Sequence, residues 1–184
     1  LYMWMKQVIE ITQPKIFIAE NVKGLVNLSN VKDIIQSDFS SIGDNGYLVL
    51  NTRVLHSADY GVPQSRERVF FIGIKKSALK KSALEQLEKE NIADKYNPYP
   101  NPTHAYTTDG ENLKRHVDLK ELFANLEEPE KSNDLSQMFY SKAKFMGKHC
   151  QGQIEIKPKG ISPTIRAEHH GNIEFRRLSK KNGG

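Results

Sequence analysis

"YGVPQSRERVFFIGI", residues 60–74, ends in "RVFFIGI" (68–74), a run that is apolar almost without a break. A strand with one wet face alternates apolar and polar residues, whereas a run apolar on both faces belongs in the middle of a sheet covered by helices. The stretch therefore predicts a central strand in an α/β layer. Just ahead of it, Gln64, Arg66 and Arg68 recur at period two. A strand starting near Pro63 would present these three long hydrogen-bonding side chains on one face, with Ser65 and Glu67 on the other.

The residues before this stretch supply the rest of such a layer. Met5, Val8, Ile9 and Thr12 follow helical spacing up to Gln13, where Pro14 disfavours further helix. "KIFIA" (15–19) reads as a buried strand, followed at once by the ionisable Glu20 and the amide Asn21. "NVKDIIQSDFSSIG" (30–43) predicts a helix with Asn30 as N-cap, an apolar stripe of Val31, Ile34, Ile35, Phe39 and Ile42, and Gly43 as its stop. "YLVLNTRVL" (47–55) reads as one more strand. Residues 1–78 thus predict part of an open α/β sheet.

Beyond residue 78 the texture changes. "KKSALKKSALEQLEKENIADKY" (75–96) predicts a charged connecting helix, "NPYPNPTHAYTTDGEN" (97–112) a loop, and "VDLKELFANLEEPEK" (117–131) a short amphipathic helix closed at Pro129. These fill a variable segment, 79–130. Residues 131–184 combine short β-like pieces, "QIEIK" and "NIEF", with scattered glycines and predict a small, loop-rich second domain. Residues 1–130 carry 16 Lys/Arg against 18 Asp/Glu, and residues 131–184 carry 11 against 4. A basic segment after a near-neutral one fits a nucleic-acid contact, since Lys and Arg on phosphate supply most non-specific affinity. The single Cys150 excludes an internal disulfide and a multi-cysteine zinc site. His149, Cys150, His169 and His170 match no zinc spacing, so no metal is expected. No run approaches the roughly 18 apolar residues a spanning helix needs, and no secretory leader pattern opens the sequence. The expectation is a cytoplasmic protein with no membrane partner.

A Glu-Asn pair after a strand is ordinary by itself, but beside the Gln-x-Arg-x-Arg row it would bring an acid and guanidinium groups to one cleft. Here the sequence resembles the DNA cytosine-C5 methyltransferases. "FIAENVKGL" (17–25) is similar to that family's Glu-Asn-Val motif, "YGVPQSRERVFFIG" (60–73) to its Gln-x-Arg-x-Arg motif, and "EFRRLS" (174–179) to the start of a later Arg-Arg-Leu-Ser/Thr motif. In "GISPTIRAEHHGN" (160–172), Thr164-Ile165 resembles the Thr-Leu/Ile pair of the family's target-recognition domain. The resemblance implies a Rossmann-like, S-adenosylmethionine-dependent catalytic sheet, partial here, followed by a target-recognition domain.

It also implies chemistry. Cytosine accepts a thiolate at C6 only if the electron density pushed into the ring is neutralised at N3. By analogy Glu20 would sit at N3 and the N4 amine, with partial burial favouring its protonated form. Arg68 would hold O2, and Arg66 would steady the catalytic loop or a phosphate. Gln64, Thr164 and Arg166 would contact DNA, Arg166 reading a base edge. The base must leave the duplex to react. The implied donor is S-adenosylmethionine, and the implied partner is double-stranded DNA, in a bacterial restriction-modification setting.

The family's nucleophilic Pro-Cys loop, its cofactor-holding Gly-rich turn and its last motif are absent. Cys150 follows the catalytic motifs and reads as a packed thiol, not a nucleophile. No residue here is assigned to cofactor binding. The expectation is a middle-to-late fragment or one subunit of a split methyltransferase, inactive alone, partnered by the missing N-terminal portion or a complementary subunit. Two other readings are a non-catalytic DNA-binding module and an unrelated nucleotide-binding α/β domain. The second has no phosphate-binding glycine loop to support it.

Overall fold

A computed structural model describes residues 2–27, 30–108, 112–127, 131–135 and 157–164. Two compact units divide the chain: Leu1–Leu55 with Glu67–Asn101, and His56–Arg66 with Pro102–Gly184.

The first unit is a mixed α/β layer. Its elements are α1 (Tyr2–Thr12), β1 (Ile16–Val22), α2 (Val31–Ser40), β2 (Tyr47–Val49), β3 (Arg53–His56), β5 (Glu67–Lys75) and α3 (Lys81–Leu87), with β4 falling in the second unit. The sheet runs β1-β5-β2, with β3 also paired to β5. As its two-faced apolar pattern predicts, β5 lies at the centre. It runs antiparallel to both β1 and β2, so those two strands are parallel to each other and α2 carries the chain between them.

Period two decides what each face buries. Phe17 and Ala19 of β1, Val69 and Phe71 of β5, and Tyr47 and Val49 of β2 share one face with Ile9 of α1 and Ile35, Phe39 and Ile42 of α2's stripe. Phe17 meets Phe39 at 5.0 Å and Tyr47 at 5.3 Å between ring centroids. Each such buried ring removes enough apolar surface to contribute about 1.5–3 kcal/mol. Lys6 Nζ donates to Asp38 at 2.8 Å, tying α1 to α2; this bond raises the Lys6 pKa and lowers that of Asp38. On the opposite face Leu50, Ile72, Leu87 and Tyr99 form a second core with Leu79 and Ile92.

Several expectations need correction. β1 continues through Glu20 and Asn21 to Val22, because those residues pair with Phe70, Val69 and Arg68 of a long partner strand. "YLVLNTRVL" breaks into β2 and β3. Asn30 precedes α2 in a left-handed conformation (φ 61°) and makes no side-chain cap, and Ile34 of the expected stripe is exposed. The long charged helix shrinks to α3: its lysines at 75–76 end β5 and begin a 3-10 turn. Residues 79–99 pack on the sheet through Leu79, Leu87, Ile92 and Tyr99 rather than leading away from it.

Tyr99 gives this second core a pH signature. Its hydroxyl donates to the Phe70 carbonyl at 3.1 Å, and burial pushes its pKa up to about 12, partly offset by Arg53. A phenol whose folded pKa exceeds its unfolded value of about 10 stabilises the fold fully below pH 10 and loses that contribution as pH rises toward 12. Denaturant titrations should therefore show stability falling across pH 10–12, with a smaller fall in Tyr99→Phe. An equal fall in both proteins would assign the loss to other groups.

The second unit is held by short pairings. β4 (Gln64–Ser65) runs parallel to β8 (Ser162–Pro163), and β6 (His104–Ala105) parallel to β7 (Lys114–Arg115). The short helix α4 (Leu119–Leu122) has its first N–H groups satisfied by remote carbonyls, Leu119 donating to Gly160 and Lys120 to Pro158. Gly61 sits at φ +84°, where a Cβ would lie 2.8 Å from the His104 ring. "QIEIK", "NIEF", Cys150 and the histidines 149, 169 and 170 lie outside the described residues.

Candidate functional site

Register places the acid against the guanidinium. Val22 pairs with Arg68 and Glu20 with Phe70, so Glu20 and Arg68 are diagonal neighbours on one face of the β1/β5 pair. Arg68 Nε lies 2.7 Å from Glu20 Oε1, and Arg68 Nη1 donates to the Glu67 carbonyl at 2.8 Å. The Arg68 side chain is 19% exposed and that of Glu20 46%. The Glu20 carboxylate is thus half in water and held by a cation. One turn of the pleat away, Lys23 Nζ donates to Glu67 Oε1 at 2.7 Å. Asn21 turns its side chain to the backbone, accepting from the Val22 N–H at 2.8 Å.

A small cleft of about 70 Å³ lies beside β1, lined by Ala19, Glu20 and Asn21 together with Tyr2, Met5 and Phe39 among others. Arg68 is not part of its wall. The acid and the guanidinium meet by direct contact on the strand face rather than across a shared hollow.

The Gln-x-Arg-x-Arg row does not form one continuous strand face. Gln64 N–H donates to the Val62 carbonyl at 2.6 Å just ahead of β4, and Arg66 N–H to the Gln64 carbonyl at 3.0 Å, a tight local bond that bends the chain between β4 and β5. Gln64 and Arg66 therefore belong to the second unit and Arg68 to the first. Within the second unit Gln64 pairs with Ser162, and its carbonyl accepts from the Ser57 hydroxyl at 2.6 Å. The Thr164 hydroxyl donates to the Ser65 carbonyl. Ser65 and Thr164, 99 residues apart in sequence, thus meet beside the β4/β8 pair that holds Gln64. Arg166 lies outside the described residues.

A second polar cluster has no counterpart among the motifs read from the sequence. Asp59 Oδ1 lies 3.0 Å from His116 Nε2 and 3.5 Å from His56 Nδ1, while its backbone carbonyl accepts from Thr103 N–H at 2.9 Å. It fastens the 102–116 loop to the Ser57–Tyr60 turn. Only the i, i+3 spacing of His56 and Asp59 was visible beforehand.

A family model for C-5 cytosine-specific DNA methylases matches residues 1–183. The chain belongs to this family. The methylase chain is 32% identical over 171 residues to the Type II methyltransferase M.BspRI of Lysinibacillus sphaericus, covering 91% of the chain and 35% of that protein. It is likewise 32% identical over 171 residues to M.NgoFVII of Neisseria gonorrhoeae, covering 92% and 38%. Against M.DdeI of Desulfomicrobium norvegicum it is 46% identical over 67 residues, 34% of the chain and 15% of that protein. The methylase chain thus spans little more than a third of the curated relatives that it matches along its length. No helix among its described residues is long and apolar enough to cross a membrane.

Proposed function

We propose that this chain is part of a DNA cytosine-5 methyltransferase of restriction-modification type, acting in the bacterial cytoplasm on a cytosine flipped out of a specific duplex sequence. The observation that carries this reading is the Glu20–Arg68 contact, 2.7 Å across adjacent strands. With Arg68 Nε on Oε1, Oε2 is the oxygen turned to the base. It accepts from the N4 amine and, once protonated, donates to N3, where a proton neutralises the density that a nucleophile adding at C6 pushes into the ring. Arg68 offers its remaining guanidinium N–H groups to O2, and Arg66 steadies the catalytic loop or a phosphate. Thr164, its hydroxyl proton committed to Ser65, braces the β4/β8 corner on which Gln64 sits. Residues 131–184, with their basic surplus, form the target-recognition region, and Arg166 reads a base edge.

S-adenosylmethionine is the methyl donor that family membership implies. Ligands of that size take pockets of roughly 300–1,000 Å³, and the cleft beside Glu20, at about 70 Å³ and walled mostly by apolar side chains, does not fit it. Holding the donor, like supplying the nucleophilic thiol, falls to polypeptide outside these 184 residues, whether on the same chain or on a second subunit. A DNA-binding module without chemistry would account for the basic segment but has no use for a carboxylate held against a guanidinium on a strand face.

The purified chain alone should give no heat on calorimetric titration with S-adenosylmethionine and transfer no labelled methyl to duplex DNA. Supplying the complementary polypeptide should restore transfer. Turnover by the chain alone would overturn this division of labour.

A further inference from the structure

We propose that Asp59 is a positioning residue for target discrimination: through His116 it closes a ring of short contacts that fixes the β4/β8 corner on which Gln64 and Thr164 sit. The proposal rests on the methyltransferase reading, in which Gln64 meets DNA and residues 131–184, β8 among them, recognise the target.

The second unit has no long strand among its described residues to keep its parts in register. β4, β6, β7 and β8 are two residues each, and isolated strand pairs are marginal in water. What joins them is a circuit. From the Ser57–Tyr60 turn, Asp59 reaches the 102–116 loop: its backbone carbonyl accepts from Thr103 N–H at 2.9 Å, and its Oδ1 accepts from His116 Nε2–H at 3.0 Å. The chain runs on from His116 into α4, whose Leu119 and Lys120 N–H groups donate to the carbonyls of Gly160 and Pro158. Those residues lead into β8, which pairs with β4, while Ser162 N–H donates to the Pro63 carbonyl at 2.9 Å. Ser57 returns the circuit to its start. Its N–H donates to the Arg66 carbonyl at 2.9 Å and its hydroxyl to the Gln64 carbonyl at 2.6 Å.

Asp59–His116 is the link of this circuit in which both partners are side chains, and it spans 57 residues of sequence. Its ends are packed: the His116 side chain is 11% exposed, and its ring meets those of His56 and Tyr106 edge-on at 6.1 and 6.3 Å between centroids. A bond to a carboxylate is shorter and stronger than one between neutral groups. Without it the β4/β8 pairing and the α4 bonds remain, so the unit stays folded. The Ser57–Tyr60 turn then loses its side-chain tie to the loop that carries α4 and, through α4, β8. Groups that recognise a ligand must be held to about 0.5 Å by such supporting bonds, and a displacement of about 1 Å costs on the order of a hundredfold in function.

The test uses the completed enzyme, the duplex that it methylates best and single-base variants of that site. Asp59→Ala should keep kcat on the best duplex within a few-fold, raise KM for DNA about tenfold and reduce the preference over single-base variants by about tenfold. Asp59→Asn still offers an acceptor to His116 and should stay near wild type in all three. His116→Phe keeps the ring but loses the donor, so it should reproduce Asp59→Ala, and it decides the matter where Asp59→Ala does not fold. A merely structural role predicts fewer active molecules, hence a lower kcat at unchanged KM and unchanged preference. That result, full preference retained in the variants, or an Asp59→Asn enzyme as impaired as Asp59→Ala would each overturn the proposal. Binding titrations on the same duplexes separate it from the reading beneath it. A wild type that transfers no methyl but discriminates in binding, with discrimination lost in Asp59→Ala, would keep the positioning role and remove the chemistry; transfer with discrimination intact in the variant would do the reverse.

Discussion

Glu20→Gln, introduced into the completed enzyme, should lower methyl transfer by about 10²–10⁴-fold, the range that a positioned acid–base group contributes, while duplex binding changes little. The amide keeps the shape and can still meet the N4 and N3 edge, but it cannot shuttle a proton to N3. Because Arg68 holds one carboxylate oxygen at 2.7 Å, the substitution also leaves that guanidinium facing a neutral amide. Arg68→Lys should therefore lower transfer too, since an ammonium cannot reproduce the planar fork. Single-turnover rates with labelled methyl donor, read beside binding titrations, separate the steps. A Glu20→Gln enzyme within a few-fold of wild type would remove Glu20 from the chemistry, and an equal loss in binding would reduce it to a structural role.

Gly73→Val should destabilise the first unit by about 1–3 kcal/mol or more. Gly73 pairs with Phe17 across the β1/β5 ladder, and the Phe17 ring lies over it so closely that a Cβ would come within 2.1 Å of Cε1 and 2.2 Å of Cζ. Moving the ring is not cheap, because Phe39 and Tyr47 pack against it. The signature is coupling. Phe17→Ala should cost about 3–5 kcal/mol alone, yet the double variant should be less destabilised than the sum, since valine refills space that the ring vacates. Chemical denaturation of the four proteins measures this directly. Strict additivity would mean that the ring and the glycine do not share that space.

The core of the fold was legible because burial on both faces leaves a long unbroken apolar run, and the longest belongs to β5. The strand-end pattern brought Glu20 and the guanidinium groups to one cleft, but their direct contact was not legible, since pairing register is invisible to periodicity within a single strand. The row of Gln64, Arg66 and Arg68 misled for a related reason: period two promises a shared face only while the chain stays extended, and the local backbone bond from Arg66 to Gln64 ends that extension. The charged run 75–96 misled because helix propensity was read without its anchors; Leu79, Leu87 and Tyr99 each find a place on the sheet, and the chain bends to deliver them. Asp59 and His116 lie 57 residues apart, and nothing local joins them.

The second unit is built from two separate stretches of chain, an eleven-residue excursion at His56–Arg66 and everything from Pro102 onward. Modularity has a cost here. An exchange of target specificity between relatives by a single crossover near residue 102 would bring in a new β8 and leave the old β4, so the Gln64–Ser162 pairing and the Thr164–Ser65 bond would join halves of different ancestry. Recombination that keeps the pair matched must also carry residues 56–66, whose last member is two positions from Arg68. On the proposed reading, lineages that shuffle their recognition segments are thereby obliged either to hold β4 nearly invariant or to inherit the reading surface and the edge of the chemistry as one block.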